Sequence, residues 1–439
     1  MEILVKIAQL ILSLSILVIL HEFGHFILAK LFHTRVEKFY LFFNPGFSLF
    51  KFRKGETEYG MGWLPLGGYV KISGMIDESM DKNQMKKPPQ PHEFRSKPAW
   101  QRLLIMVGGV MMNFILAILI YASVLFVWGE QYLPADNLKY GIAADSLAEN
   151  IGFHDGDQII AIEGQHVERF RDIPKYILLN KANEVTVKRD GQQQTVHIPD
   201  SVFPRIINNP QFISFRLPSV IGGFSDNSPA KKAGLEPGDQ IVQVNGKDAR
   251  FMDQLKDILK NKQGEEISVT VDREGIKKQY SLKTTPDGLI GFYVGDINKH
   301  FETKKVDYSF IAAFPAGIDK GVETFTEYLQ QLGLIFSPET GAYKEVGGFI
   351  TIGKIFPGVW DWYAFWNLTA FLSIILAILN VLPIPALDGG HIMFLLYEVL
   401  SGQKPSDKFL EYAQIAGMLV LFAILIYANG NDIIKLLNN

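Results

Sequence analysis

Residues 7–29 read IAQLILSLSILVILHEFGHFILA, an apolar run long enough to cross a bilayer with five residues of different chemistry set into it. From Ile7 to Leu20 no side chain is charged, and the apolar run resumes at Phe26-Ile27-Leu28-Ala29. An ionisable residue at the centre of a spanning helix costs about 2.5–3.5 kcal/mol on insertion scales. Two histidines and a glutamate held at that cost imply a use for them. On a helix, positions i and i+4 share a face, so His21 and His25 can turn two imidazoles to one metal ion. Glu22 stands beside them, placed to take a proton from water activated by that metal. The pattern implies hydrolytic chemistry within a membrane. Two other readings compete: a buried, hydrogen-bonded polar cluster, and a secretory signal peptide. Against the latter, Lys6 is the only basic residue before His21, Glu2 offsets it, and no small-residue cleavage site precedes His21.

The chain has 439 residues, 48% of them hydrophobic, a high share for a water-soluble protein of this length. Three further uncharged runs are long enough to span: Leu103–Trp128, Trp362–Leu387 and Tyr412–Asn431. The expectation is a polytopic α-helical membrane protein with four transmembrane helices. A net charge of −3 leaves no basic footprint for nucleic acid. With no cysteine, disulfides and thiolate metal sites are excluded together, and any zinc must be held by His, Asp or Glu. The connection between the first two spans, Phe32–Gln101, carries eleven Lys/Arg against seven Asp/Glu, which favours a cytoplasmic loop. Both termini and the long Gly129–Asp361 region then lie outside, in the periplasm if the cell is Gram-negative. The first and third spans run the same way, which brings His21 and the Asn380–Asp388 segment to a similar depth towards the cytoplasmic side.

The outer region repeats itself. Ser146-Leu147-Ala148 with Gly152 and Gly156-Asp157-Gln158-Ile159-Ile160-Ala161-Ile162-Glu163-Gly164 recurs 82 residues later. The second copy is Ser228-Pro229-Ala230 with Gly234 and Gly238-Asp239-Gln240-Ile241-Val242-Gln243-Val244-Asn245-Gly246. Each copy reads as a short helix, a Gly-Asp turn and a period-2 strand, so two tandem small α+β domains are expected. The pattern resembles PDZ domains of the bacterial protease type. Peptide-binding loops are expected at Tyr140-Gly141-Ile142 and Gly222-Gly223-Phe224, where a peptide strand would add to the sheet.

Two histidines leave a catalytic zinc site one ligand short. The best third candidate lies in Asn380-Val381-Leu382-Pro383-Ile384-Pro385-Ala386-Leu387-Asp388-Gly389-Gly390, where two prolines interrupt the end of a spanning helix. Non-helical backbone at that depth is tolerated only inside protein or along a wet cavity, and Asp388 can reach back from such a break. His391, three residues on, is a rival, and an ordinary Asp-Gly-Gly turn is the reading without function.

HExxH in a first span, NxxPxPxLDG at the end of a late one and PDZ-like domains between them resemble the site-2 protease family of intramembrane zinc metalloproteases, over essentially the whole chain. Gly67-Gly68-Tyr69-Val70 and Val346-Gly347-Gly348 are part of the likeness. The resemblance implies that His21, His25 and Asp388 bind Zn2+ and that Glu22 is the catalytic base. It implies that Asn380 holds the substrate backbone or the developing oxyanion, and that a membrane-associated β-loop at about 56–72, with Gly67, Gly68 and Tyr69, pairs with unwound substrate. Asn113, in the second span, is expected to hydrogen-bond between helices and is given no catalytic role.

The expected order is a first span over 1–31, a cytoplasmic-side loop over 32–101 and a second span over 102–128. PDZ-like domains over 129–212 and 213–298 and an amphipathic linker over 299–361 follow. A third span over 362–387, a loop over 388–411 and a fourth span over 412–431 complete the chain. By family, the partners are the lipid bilayer and single-span membrane protein substrates of the anti-sigma factor type, cleaved after a first cut outside. The rival class is a catalytically inert PDZ membrane scaffold, and a transporter is disfavoured because four spans show no inverted repeat.

Overall fold

Helix α1, Glu2–Leu31, is apolar around most of its circumference, yet its buried residues fall mainly on one stripe: Gln9, Ser13, Leu17, His21, His25 and Ala29, each four on from the last. Glu2 in its first turn and Lys30 in its last suit the helix dipole. The helix stops where His33 takes φ 54° and the Thr34 N–H turns back to the Ala29 carbonyl at 2.8 Å. The computed structural model describes residues 2–437 apart from 66, 76–87, 210, 226, 296–299, 336 and 338–341. Leu66 of the expected β-loop, 76–87 of the expected first loop, 210, 226 and 296–298 of the expected insert domains, and 299, 336 and 338–341 of the expected linker therefore lie outside the described residues.

The chain forms two units, one of Met1–Gly129, Asp307–Phe336 and Tyr343–Asn439, the other of Glu130–Val306 and Ser337–Ala342. In the first unit α1 is followed by β1 (Val36–Leu41), β2 (Phe50–Lys54), β3 (Thr57–Met61) and β4 (Tyr69–Ile72), a four-stranded sheet in the order β2-β3-β1-β4. The sheet is wider than the expected 56–72 loop because β1 lies at its centre, parallel to β3 and antiparallel to β4. Its edge strand β2 exposes Phe50 and Phe52, beside exposed Phe47, Leu49 and Trp63.

Helix α2, Ala99–Trp128, starts after Pro98 and ends at Gly129, φ 72°. Its buried residues include Ile105, Gly109, Asn113, Ala117, Tyr121 and Leu125, again one stripe at a spacing of four. Helix α3 spans Phe310–Ile335, α4 Phe349–Ile355, α5 Trp362–Val381, α6 Asp388–Ser401 and α7 Asp407–Leu437. Helix α2 packs against α1, α3, α5 and α6. Backbones touch where side chains vanish: a Cβ on Gly24 of α1 would collide with the Gly108 carbonyl of α2. Among the described residues, four helices are long and apolar enough to cross a membrane: α1, α2, α5 and, over Lys408–Leu437, α7.

Around Asp388, two expectations change. The third apolar run ends as a helix at Val381 rather than at 387, because Pro383 and Pro385 cannot continue it. The expected loop over 388–411 contains α6, whose first turn carries the Asp388 carboxylate and whose end is capped by Gly402 at φ 69°.

The second unit carries the sequence repeat into three dimensions. In the first half, strand Ile142–Ala144 pairs with Ile213–Phe215, and Gln158–Ile162 pairs with the hairpin Glu184–Arg189 and Gln192–His197. In the second, Ile221–Phe224 pairs with Phe292–Val294, and Gln240–Val244 with the hairpin Glu266–Arg273 and Ile276–Lys283. The repeated glycines are required by backbone: Gly152, Gly156, Gly164, Gly234, Gly238 and Gly246 have φ from 71° to 114°. Each Gly-Asp turn is locked from the hairpin. Arg189 Nε and a terminal nitrogen donate to the two oxygens of buried Asp157 at 2.7 Å, and Arg273 grips Asp239 likewise at 2.6 and 2.7 Å. Burial alone would raise the Asp239 pKa, but the Arg273 fork holds that carboxyl below its ordinary value.

Candidate metal centre

The α1 and α2 stripes meet at the histidines. His25 Nδ1 lies 2.8 Å from the Ile105 carbonyl, which can only accept, so Nδ1 carries a proton and, in the neutral ring, Nε2 keeps its lone pair. Asn113 of the same α2 stripe brings its amide to 3.2 Å from His21 Nδ1. Between the two, Gly109 leaves the space the rings occupy, since a Cβ there would meet His25 Nε2 and the His21 ring.

Asp388 arrives from the turn between α5 and α6. This turn is tightly determined. Ala386 has φ 89°, a conformation that costs a residue with a Cβ of the order of 1 kcal/mol or more unless its surroundings impose it. The surroundings come from α7: Gln414 Oε1 accepts the Ala386 N–H at 3.2 Å, and Gly417 presses so close to the Pro385 carbonyl that a Cβ could not fit. Gly389 and Gly390 similarly pack against the backbone of 381–385.

His21 Nε2, His25 Nε2 and Asp388 Oδ2 consequently stand 3.1–3.3 Å from one another. Asp388 Oδ2 is buried and makes no hydrogen bond among the described residues. With both imidazoles neutral and their Nε2 lone pairs turned inward, three electron-rich atoms at that separation repel unless a cation lies among them. Two imidazoles and one carboxylate are the donor set of a catalytic zinc with a position left open, so the residues fit that ion. Among the described residues this is the one such cluster.

Glu22, beside His21, lines two cavities that flank the cluster. The larger, about 430 Å³, includes Lys38, Lys71, His391 and Gln414, together with Tyr69 and Val70 of β4. The smaller, about 340 Å³, is lined by Leu14, Val18, Phe42, Phe349 and Leu376, with Asn380 and Gly67. Asn380 Nδ2 comes to 3.5 Å from His21 Nε2, the limit of hydrogen-bonding distance. Gly68 lets β4 pass against α1, since a Cβ there would meet Val18 and come within 3.5 Å of Glu22 Cγ. Gly67 lies under the Phe43 ring, and Tyr69 stacks between Tyr40 and Phe43 and donates to Asn44.

His391 lines the larger cavity outside the three converging atoms. The expected peptide loops of the second unit are placed differently. Gly141 does sit in a turn, φ 67°, but Ile142 opens a strand and Gly222, Gly223 and Phe224 lie within one. The physical reason is close strand approach: a Cβ on Gly222 would strike the Gly295 backbone, and Tyr293 covers Gly223. The α2 stripe and the α7 contacts to the Asp388 turn are tertiary features that the sequence does not reveal. Their only signal there was an asparagine in an uncharged span and a glutamine and glycine three apart in another.

The sequence profile of peptidase family M50 matches residues 9–424. A regulator of sigma E protease from Salmonella typhimurium is 28% identical over 99% of this chain and 100% of its own length. One from Haemophilus influenzae is 26% identical over the same shares. A Neisseria meningitidis protein named as a zinc metalloprotease is 28% identical over 97% of this chain and 98% of its own. With a profile match over nearly its whole length, the chain belongs to peptidase family M50, the site-2 proteases, and is a zinc metalloendopeptidase.

Proposed function

We propose that His21, His25 and Asp388 hold the zinc, that Glu22 is the general base and acid, and that the substrate is a single-span membrane protein cut within or beside the bilayer. The observation that carries this reading is the convergence of the three ligand atoms beside Glu22. When bound, the zinc supplies a Lewis-acid centre that polarises a peptide carbonyl and acidifies water. The Glu22 carboxylate takes a proton from the attacking water and delivers it to the departing amide nitrogen as the C–N bond breaks. The Asn380 amide donates to the oxygen on which charge develops. A helical substrate hides its peptide bonds, so it must be extended before attack. The edge strand β4, with Gly67, Gly68 and Tyr69 at its start, offers backbone groups for it.

Two relatives are named regulators of sigma E, which favours an anti-sigma factor as substrate, trimmed outside before this cut. The charge of the Phe32–Gln101 connection supports a bacterial inner-membrane protein whose site opens towards the cytoplasm and whose second unit is periplasmic. In this reading that unit is a tandem of PDZ-like domains which excludes substrates still carrying a bulky outer domain. The test is Glu22→Gln with a membrane-embedded reporter substrate. Cleavage should vanish while purified protein keeps its zinc, since the amide matches the carboxylate in shape and cannot act as a base. More than a few per cent of residual activity at equal expression would remove Glu22 from that role.

A further inference from the structure

We propose that Asn113 is a positioning residue of the metal centre: its side-chain carbonyl accepts the Nδ1–H of His21 and leaves His21 Nε2 bare for the metal. This rests on the reading of His21 as a ligand. Three observations carry it. Asn113 is fully buried, and its amide end lies 3.2 Å from His21 Nδ1. Its Oδ1 is buried and makes no hydrogen bond among the described residues. Third, the other histidine is already held in this manner by the same stripe of α2, with Nδ1 on the Ile105 carbonyl, eight residues before Asn113.

The two ends of an asparagine amide have nearly the same shape, and which one faces a neighbour is decided by the hydrogen bonds it makes. With the N–H2 towards His21, Nδ1 must accept, which forces the imidazole proton onto Nε2. That nitrogen is the one that stands 3.3 Å from His25 Nε2 and 3.1 Å from Asp388 Oδ2, where a metal needs a lone pair. Rotating the amide by half a turn directs Oδ1 at Nδ1 and reverses the tautomer. The exchange moves the unpartnered end from oxygen to nitrogen, so the demand of the histidine decides the orientation. The Ser373 hydroxyl, donating to the Asn113 backbone carbonyl at 2.7 Å, fixes the α2 backbone from which the amide projects. Histidine ligands generally donate their second nitrogen to such an acceptor, and losing it typically costs about 10- to 100-fold in metal affinity.

The experiment compares Asn113→Asp, Asn113→Leu and His21→Ala in the full-length protein in detergent. Zinc affinity is read by competition with a chromogenic chelator, and thermal unfolding of the zinc-free protein is read alongside. Asn113→Leu, similar in size and without an acceptor, should bind zinc about 10- to 100-fold more weakly. Asn113→Asp, which keeps the acceptor, should remain within about threefold of the wild type or bind more tightly. If Asn113 serves only to join helices, Asn113→Leu will lower the unfolding temperature and leave zinc affinity within twofold, which overturns the proposal. A tenfold loss in Asn113→Asp overturns it as well, and decides the matter if Asn113→Leu does not fold. Zinc affinity unchanged in His21→Ala would instead overturn the ligand assignment itself.

Discussion

Gly109→Ala tests the centre at its tightest point. The added Cβ would lie 2.7 Å from His21 Cε1 and 2.9 Å from His21 Nδ1, and closer still to His25 Nε2. Ordinary contact requires about 3.5 Å, so the rings must retreat by roughly 0.5 Å or more. Metal sites hold their ligands to about 0.2 Å, so the displacement exceeds what the zinc would tolerate. Overpacking of this kind costs about 1–3 kcal/mol, and at about 1.4 kcal/mol per tenfold, zinc affinity should fall roughly 5- to 150-fold. The backbone works in the opposite direction, because alanine favours a helix interior over glycine by up to about 1 kcal/mol. The signature is therefore weakened zinc with little loss of stability in the zinc-free protein. Gly430→Ala, where an added Cβ meets nothing within 4 Å, is the control and should leave zinc binding unchanged. Zinc content after purification, chelator competition and unfolding of the zinc-free protein are measured for both. Zinc affinity within twofold of the wild type in Gly109→Ala would refute the packing of both α1 rings against Gly109 of α2.

Asp388→Ala should lose zinc and activity together while His391→Ala keeps most of its metal, read as zinc per protein without added metal; the reverse pattern makes His391 the ligand. Gly417→Val should depress zinc affinity from a helix that supplies no ligand, because its side chain must push the Pro385 carbonyl and with it the turn that aims Asp388. Normal zinc in that variant would show that the turn holds itself. The Asp239–Arg273 pair should make the second unit acid-sensitive. Its folded pKa is below the ordinary value of about 3.9, so the pair's stabilisation is present above that pH and is lost as pH falls below it. Asp239→Asn should flatten the unfolding temperature of that unit between about pH 4 and pH 2; an unchanged slope would sink the linkage.

His21, Glu22 and His25 were legible because their chemistry is local: a metal-binding pair needs only the helical repeat, and the apolar flanks give its setting. Asp388 was half legible. The prolines show that the helix must break and make Asp388 the better third candidate, but a break fixes no direction, so in the sequence His391 remains its rival. The repeat in the second unit could be read from its glycines, since each φ is positive and few other residues serve there. Its arginine locks could not, because Arg189 and Arg273 lie 32 and 34 residues after their aspartates, in strands whose registry is set by tertiary pairing. Helix α6 was hidden because its start, Asp-Gly-Gly, has the composition of a turn.

Around the metal centre, the supporting residues of α2 and α7 share one property: each acts on the centre through another residue, from a helix that contributes no metal ligand. Helix α2 meets the histidines through a backbone carbonyl, a glycine without a side chain and one amide, all on the stripe Ile105, Gly109, Asn113. Helix α7 holds the aspartate through Gln414 and Gly417, against a backbone strain at Ala386 that would relax without them. A lipid-surrounded helix gains little by burying more apolar surface, so close approach and hydrogen bonds must supply the precision. Small residues and lone amides in spanning helices are where that precision resides, and they are the residues whose role composition conceals. It follows that zinc affinity should respond to substitutions on α2 and α7 almost as sharply as to those on α1, while exposed apolar positions of the same helices, such as Met111 or Leu419, tolerate alanine. A scan of α2 that lowered zinc affinity equally at Met111 and at Gly109 would show that the helix acts by general packing, and the stripe would lose its meaning.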